Sequence, residues 1–282
     1  MKYFKILIAF SALCTMALLY TNGRAQTSAP KTLKFGILPA VDSDATVLHY
    51  AGLVSELGGT LGRPVELVVP EDYAGVLHNL ITGEVDIALL SPYMYVSISK
   101  DVQKDLIVQQ RMNDDKRYRG VCVVGKKSPI KKLKNAKGKR IAYVHIGSTA
   151  GYLYPRLKMK GMGIDAESFF GEKQFAGSHQ AVLEKVSAGE TDIGCVSKIS
   201  IAGRKDVRVV LETDIIPDDI IIATKGLSDN ERAALKTFFL NAAANPKLAD
   251  FLKTHGIKAY IKPDPSVYAP LTKLIAASNG EK

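Results

Sequence analysis

A chain of 282 residues, 46% apolar and 23% charged, has room for one large or two ordinary domains and is too apolar to be disordered. Its formal charge of +10 would suit an anionic polymer, yet Lys126, Lys127, Lys131, Lys132, Lys134, Lys137, Lys139 and Arg140 concentrate in one stretch without interleaved aromatic residues. That pattern describes a solvated face and argues against a nucleic-acid partner.

At the N-terminus, Lys2 and Lys5 precede an apolar run over residues 6–20, and Gly23-Arg24-Ala25 supplies small residues before Gln26. This is the pattern of a secretory signal peptide, residues 1–25, cut after Ala25. The run is short for a membrane-spanning helix of about 20 residues, so an exported, periplasmic protein is expected. Beyond the leader only Cys122 and Cys195 remain. Both sit in apolar runs, 121–124 and 193–196, that read as neighbouring buried strands, and they are expected as small core residues rather than as a disulfide. The five histidines lack metal-ligand spacing with one another or with these cysteines, so no metal or cofactor is expected.

After a polar linker to about Lys31, the pattern predicts a strand at 33–38, a helix at 45–61 and a strand at 65–69. Residues 73–91 then predict an amphipathic helix, a Gly stop and a buried strand. The same unit recurs 106 residues later, at 179–197. Val76, Leu77, Gly83, Glu84, Asp86, Ile87 and Ser91 are matched by Val182, Leu183, Gly189, Glu190, Asp192, Ile193 and Ser197. Between the copies lie predicted strands at 120–125 and 140–144, a helix from about Thr149 and a strand near 173–175. Strands at 207–212 and 220–223 follow the second copy. The remaining chain reads as helical, punctuated by a Ser228/Glu231 capping box and by Asn245-Pro246 and Asp264-Pro265.

Strands alternating with helices predict an α/β fold with mostly parallel sheets. The repeat predicts two similar lobes, residues 26–115 with 220–282 and residues 116–219. The chain would cross between them near 115–118 and 213–219. Two crossings make a hinge, an arrangement that closes over ligands.

Ligands of open α/β sheets bind beyond the carboxyl ends of the strands. The loop 145–151 falls there, with Ser148 and Thr149 at a helix start and Ala150 and Gly151 permitting close backbone approach. A helix start with hydroxyls suits an anion of phosphate size, and the same residues also serve as a cap. His179 opens the second repeated helix and Tyr73 the first, so the two occupy equivalent positions on facing lobes. Tyr118 sits at the first crossing. Asp219 lies beside the second, where a carboxylate facing an oxyanion would favour an anion that carries a proton and reject ionised sulfate.

The segments 147–155 (Gly-Ser-Thr-Ala-Gly-Tyr-Leu-Tyr-Pro), 176–182 (Ala-Gly-Ser-His-Gln-Ala-Val), 72–76 (Asp-Tyr-Ala-Gly-Val) and 216–219 (Ile-Pro-Asp-Asp) together resemble the phosphonate-, phosphite- and phosphate-binding proteins of ABC importers. The resemblance spans almost the whole chain after the leader. It implies a two-lobed type II periplasmic-binding-protein fold and contacts to a phosphorus oxyanion from Tyr73, Tyr118, Ser148, Thr149 and His179, from Asp219 and from backbone N–H groups around Ala150 and Gly151. Ala150 departs from a hydroxyl common in that loop, and Gln180 from an acidic residue common after the histidine. In aminophosphonate-binding members a glutamate about twenty residues past the histidine pairs with the ammonium. Here Ser197-Lys198-Ile199 offers no carboxylate, so phosphite, phosphate or methylphosphonate is the expected ligand class.

The implied protein is a monomeric, non-enzymatic solute-binding protein that serves an ABC permease; a periplasmic sensor feeding a receptor kinase keeps the same fold. Ser148, His179 and Asp219 also occur in the order of a hydrolase triad. The sequence around Ser148 lacks the Gly-x-Ser-x-Gly elbow.

Overall fold

The computed structural model describes residues 31–39, 43–98, 105–113 and 117–272; the expected leader and its cleavage site lie outside them. In chain order come β1 (Leu33–Gly36), α1 (Ser43–Leu61), β2 (Val65–Val68), α2 (Tyr73–Thr82), β3 (Ile87–Leu90), α3 (Pro92–Ser97) and β4 (Asp105–Met112). Next are β5 (Gly120–Gly125), β6 (Arg140–Tyr143), a π-helical turn (Thr149–Leu153), α4 (Tyr154–Gly161), α5 (Ala166–Phe169), β7 (Glu172–Phe175), α6 (His179–Ala188), β8 (Ile193–Ser197) and β9 (Val207–Glu212). After them lie β10 (Ile220–Ala223), α7 (Asp229–Leu240), α8 (Ala249–His255) and β11 (Ile257–Ile261).

The strands form two sheets, ordered β11-β4-β10-β3-β1-β2 and β7-β6-β8-β5-β9. The chain leaves the first sheet after β4, enters the second at β5, and returns from β9 to β10. Each strand that follows a crossing, β5 or β10, runs antiparallel to its central neighbour, β8 or β3. Only β1–β2, β1–β3, β6–β7 and β6–β8 are parallel, so the sheets are more mixed than the alternating pattern predicts.

The repeat reaches further than its sequence identities. Phe35 pairs with Ile87 in the first sheet and Ile141 with Ile193 in the second; Lys34 pairs with Glu66, and Arg140 with Glu172. Every one of these positions is displaced by 106 residues. The shared aspartates explain the fixed register. Asp86 Oδ2 accepts the Lys34 N–H at 2.9 Å, and Asp192 Oδ2 accepts the Arg140 N–H at 2.9 Å, each clamping the edge of the first strand to the start of the third. Gly83 and Gly189 end the repeated helices in the left-handed conformation, at φ 75° and 73°, where a side chain would be strained.

Side chains alternate between layers as a pleated strand requires. Ile87 and Leu89 join Leu33, Phe35, Leu57 and Phe239 in a core beneath α1, α7 and α8. Ala88 and Leu90 face the other way, into a cluster shared with Val121, Val123, Val144 and Val182 of the second sheet and α6. A third core, with Ile141, Tyr143, Met159 and Phe170, fills the outer face of the second sheet.

That third core corrects the expectation for the cysteines: Cys122 and Cys195 form a disulfide. They are directly opposite in the antiparallel β5–β8 pair, where facing Cβ atoms lie within bonding reach of a bridge. Adjacency of the strands was legible in sequence, whereas register was not, and a one-residue slip would have sent the two thiols to opposite faces.

The C-terminal segment is less helical than expected, because β11 pairs antiparallel with β4. β4 itself escapes a periodicity reading, since Gln109 and Gln110 are buried alongside Ile107 and Val108 and no apolar alternation survives. The caps occur as predicted: Ser228 and Glu231 close their box at 2.8 and 3.3 Å, and Asn245 and Asp264 cap the turns that follow them.

Candidate functional site

Both repeated helices start with a short polar cap and then turn a ring inward. Asp72 Oδ1 accepts the Gly75 N–H at 2.8 Å, and Ser178 Oγ accepts the Ala181 N–H at 3.1 Å. The rings that follow, Tyr73 and His179, are 2% and 6% exposed and border one cavity of about 200 Å³ together with Tyr118 and Asp219.

His179 is held in a single protonation form. Its Nδ1 accepts the Ser197 N–H at 3.0 Å, so the proton of the neutral ring resides on Nε2. Burial drives its pKa down to about 4, which keeps the imidazole neutral across ordinary pH. It is a neutral donor. Tyr73 and Tyr118 are neutral donors as well, since burial first, and then the nearby Asp219 carboxyl, holds both phenols above their ordinary range.

Asp219 keeps some surface open to the cavity, but its Oδ1 is buried without a hydrogen-bond partner. Burial, reinforced by the Asp218 carboxyl, pushes its pKa up to about 8. Near neutral pH it is mainly a carboxylic acid, with a proton it can donate. The ionised carboxylate expected to reject sulfate predominates in this cavity only above about pH 8.

The loop after β6 sits behind this cavity rather than on its wall. Ser148, Thr149, Ala150 and Gly151 are fully buried, and none of them lines the cavity. Ser148 Oγ accepts the Gly151 N–H at 3.0 Å and is hydrogen-bonded to the Tyr73 hydroxyl. Gly151 packs so closely that a Cβ there would come within 2.3 Å of Val144 Cγ2. Thr149 Oγ1 accepts the Tyr93 N–H at 2.9 Å, which ties the loop to α3 of the first sheet's layer. Ser91 donates to the Gly147 carbonyl at 3.0 Å, and His145 stacks on Tyr73 with centroids 5.5 Å apart. The two layers are thus joined along a polar seam as well as an apolar one.

Several of these groups have no individual signal in sequence. Ser91 and Ser197 end the two copies of the repeat, and that equivalence is the only hint of their roles at the seam and behind His179. Asp218, Tyr50, Gln110 and His255 also line the cavity and come from scattered elements.

The arrangement contains no hydrolase relay. His179 Nδ1 receives a backbone N–H instead of donating to a carboxylate, and Ser148 serves Gly151 and Tyr73. A cavity between two α/β layers, mostly apolar in its lining but edged by neutral donors from both, has the form of a binding site for a small solute. Over residues 35–268 the chain matches the family described as "ABC transporter, phosphonate, periplasmic substrate-binding protein", and it belongs to that family. Its members are periplasmic substrate-binding proteins of ABC transporters.

Among its relatives is a phosphate-import protein PhnD of Mycolicibacterium smegmatis, 27% identical over 80% of this chain and 71% of that protein. A probable ABC transporter phosphite binding protein PhnD1 of Prochlorococcus marinus is 28% identical over 61% of this chain and 60% of its own length. The fold is that of the solved Prochlorococcus marinus PhnD1 in complex with methylphosphonate, with a TM-score of 0.78 at 21% identity, covering 89% of this chain and 99% of that one.

Proposed function

We propose that the cavity captures a small tetrahedral phosphorus oxyanion of the phosphite, phosphate or methylphosphonate class, and that the protein carries it as a monomer to its permease after removal of residues 1–25. The observation that carries this reading is the convergence of Tyr73 and His179, repeat-equivalent rings on two different layers, with Tyr118 and Asp219 on one cavity. Neutral donors suit an anion, because they supply hydrogen bonds without the desolvation cost of buried cations. The names of the relatives support the phosphorus class. The Ser91–Gly147 and Tyr93–Thr149 contacts hold the closed form, and the crossings, one near 115–118 that lies partly outside the described residues and one at 213–219, act as its hinge.

Asp219 enters the complex as an acid. One proton is shared between its carboxyl and the anion, whichever partner brings it, so binding at high pH requires proton uptake. Calorimetric titration with phosphite, phosphate, methylphosphonate and sulfate at pH 7 and 9 tests this account. The phosphorus anions should bind, and affinity should weaken by roughly tenfold per pH unit above about pH 8. Asp219→Asn, a permanently neutral donor, should remove that slope. Sulfate binding more tightly than all three phosphorus anions, or no binding by any of them, sinks the reading.

A further inference from the structure

The second lobe carries its cations in two ways. Around much of its surface they are matched with carboxylates, as in the pairs Arg140–Asp192, Lys185–Glu190 and Lys198–Glu212. The stretch 126–139 is different, with seven lysines and no acidic residue. All seven are exposed, and among the described residues none is ion-paired with a carboxylate. Lys205, exposed and likewise unpaired among the described residues, stands beside them, because the Lys126 N–H donates to the Asp206 carbonyl at 2.7 Å. The carboxylates nearby are engaged by other groups, Asp206 by Arg204 and Ser187 and Asp192 by Arg140.

This face is built into the fold. Ile130, Leu133 and Ala136 are buried in the outer core of the second sheet, which leaves the lysines between them on the outside. Arg208 donates from Nη1 to the Lys126 carbonyl at 3.2 Å and from Nη2 to the Ser128 and Ile130 carbonyls at 3.1 and 2.7 Å. The segment is thus fastened by a further cation. Like charges fixed so close together repel one another, and a surface of opposite sign relieves that cost. The face is also remote from the cavity. It follows the carboxyl end of β5 and precedes the amino end of β6, whereas Tyr118 precedes β5, the 145–151 loop follows β6 and the 213–219 crossing follows β9. A full strand length separates the two ends, about 20 Å for the six residues of β5. A partner on the lysines leaves the cavity and both crossings free.

We propose that this lysine face docks the protein on a membrane surface of anionic phospholipid headgroups. Every cation in 126–139 is a lysine, whereas recognition of one defined carboxylate or phosphate favours the rigid fork of arginine. The segment has no aromatic residue to stack on a base. Point charges on flexible stems, spread over one end of a lobe, match a diffuse and laterally mobile layer of negative headgroups. Each lysine within a Debye length of that layer, about 8 Å at physiological ionic strength, strengthens adsorption roughly fivefold. Several together tether the protein reversibly, with its cavity turned away from the lipid and its search for a membrane-embedded transporter confined to one plane.

The experiment is cosedimentation of the mature protein with vesicles of phosphatidylcholine alone or with about 30% phosphatidylglycerol, at about 0.05 and 0.5 M salt. One variant combines Lys127→Gln, Lys134→Gln and Lys137→Gln, and a second places arginine at the same three positions. A control removes equal charge from exposed sites of the first lobe with Lys225→Gln, Lys253→Gln and Lys262→Gln. The wild type should partition onto the anionic vesicles at least about tenfold better than onto phosphatidylcholine at low salt, and the gap should close at high salt. The glutamine variant should lose at least about tenfold, with an unfolding midpoint that matches the wild type, while the arginine variant and the control stay within about threefold. On the vesicles, hydrogen exchange should slow in 126–140 and not in 145–151. Equal partition onto both vesicles, an equal loss in the control, or protection centred on 145–151 would each overturn the proposal. So would binding to poly-glutamate without partition onto the vesicles, which would assign the face to an acidic protein partner.

Discussion

Tyr73 and His179 open two copies of one structural unit, in which the framework positions coincide and those rings differ. The aspartate clamps, the left-handed glycine stops and the strand registers coincide at the same 106-residue displacement. These features hold backbone to backbone and are indifferent to what the cavity contains. The ring that opens the helix instead faces the cavity, and there one copy presents a phenol backed by Ser148 while the other presents an imidazole pinned by the Ser197 N–H. Framework and ligand chemistry are thus separable within a single repeat.

The cores differ too. The Cys122–Cys195 bridge occupies the place that Leu89 and Ile221 occupy in the first sheet, where the same antiparallel pairing sets them opposite. The first sheet's outer core has α1, α7 and α8 above it, while the second sheet's outer core has only short helices, α4 and α5. The staple therefore belongs to the layer with less apolar cover. It closes a loop of 73 residues, and removing it with Cys122→Ser and Cys195→Ser should cost on the order of 4 kcal/mol in denaturant unfolding. Hydrogen exchange should show the loss in β5–β9 before it reaches β1–β3. An unchanged unfolding midpoint would mean that the second core suffices without its bridge.

Acid separates the two rings next. The ordinary histidine pKa is 6.5, and in the folded state His179 lies at about 4, so between these values the unfolded chain binds the extra proton. Stability that is full above pH 6.5 is therefore lost as pH falls toward 4, by on the order of 3 kcal/mol. His179→Gln should flatten this part of the stability profile, and Tyr73→Phe should leave it in place. A slope that persists in His179→Gln would assign it to other groups.

Ligand affinity gives a smaller contrast. If His179 donates to the anion as proposed, His179→Ala should weaken binding by about 2 to 3 kcal/mol, within the range for hydrogen bonds to charged groups. Tyr73→Phe keeps the packing against His145 and should cost about 1 kcal/mol. Equal losses in calorimetry would show that the two lobes contribute alike.

What was legible in sequence divides along the same line. Strands such as β5, β9 and β10, the caps, the crossings and the cavity-facing roles of Tyr73, Tyr118, His179 and Asp219 follow from local patterns, turn chemistry and the repeat. β4 was lost because its buried glutamines break the alternation. The bridge was lost because strand adjacency does not disclose register. The charge state of Asp219 has no sequence signal, because it depends on burial and on Asp218, a tertiary property. Ser148 caps Gly151 as its local pattern predicts, while the bond that Thr149 Oγ1 accepts from the Tyr93 N–H joins two distant segments and leaves no local signal.

The smallest effect tests the role of Ser148. If Ser148 acts only by orienting the Tyr73 hydroxyl, Ser148→Ala should weaken ligand binding a few-fold, and it should add nothing once Tyr73→Phe has removed the hydroxyl it orients. Direct contact between Ser148 and the anion would make the two losses additive. Loss of the cap to Gly151 should lower stability by about 1 kcal/mol on either background, which unfolding curves separate from affinity. Ser178, the repeat counterpart of Asp72, supplies the control: it caps the helix that His179 opens by accepting the Ala181 N–H, so Ser178→Ala should cost stability of similar size and leave affinity within about twofold.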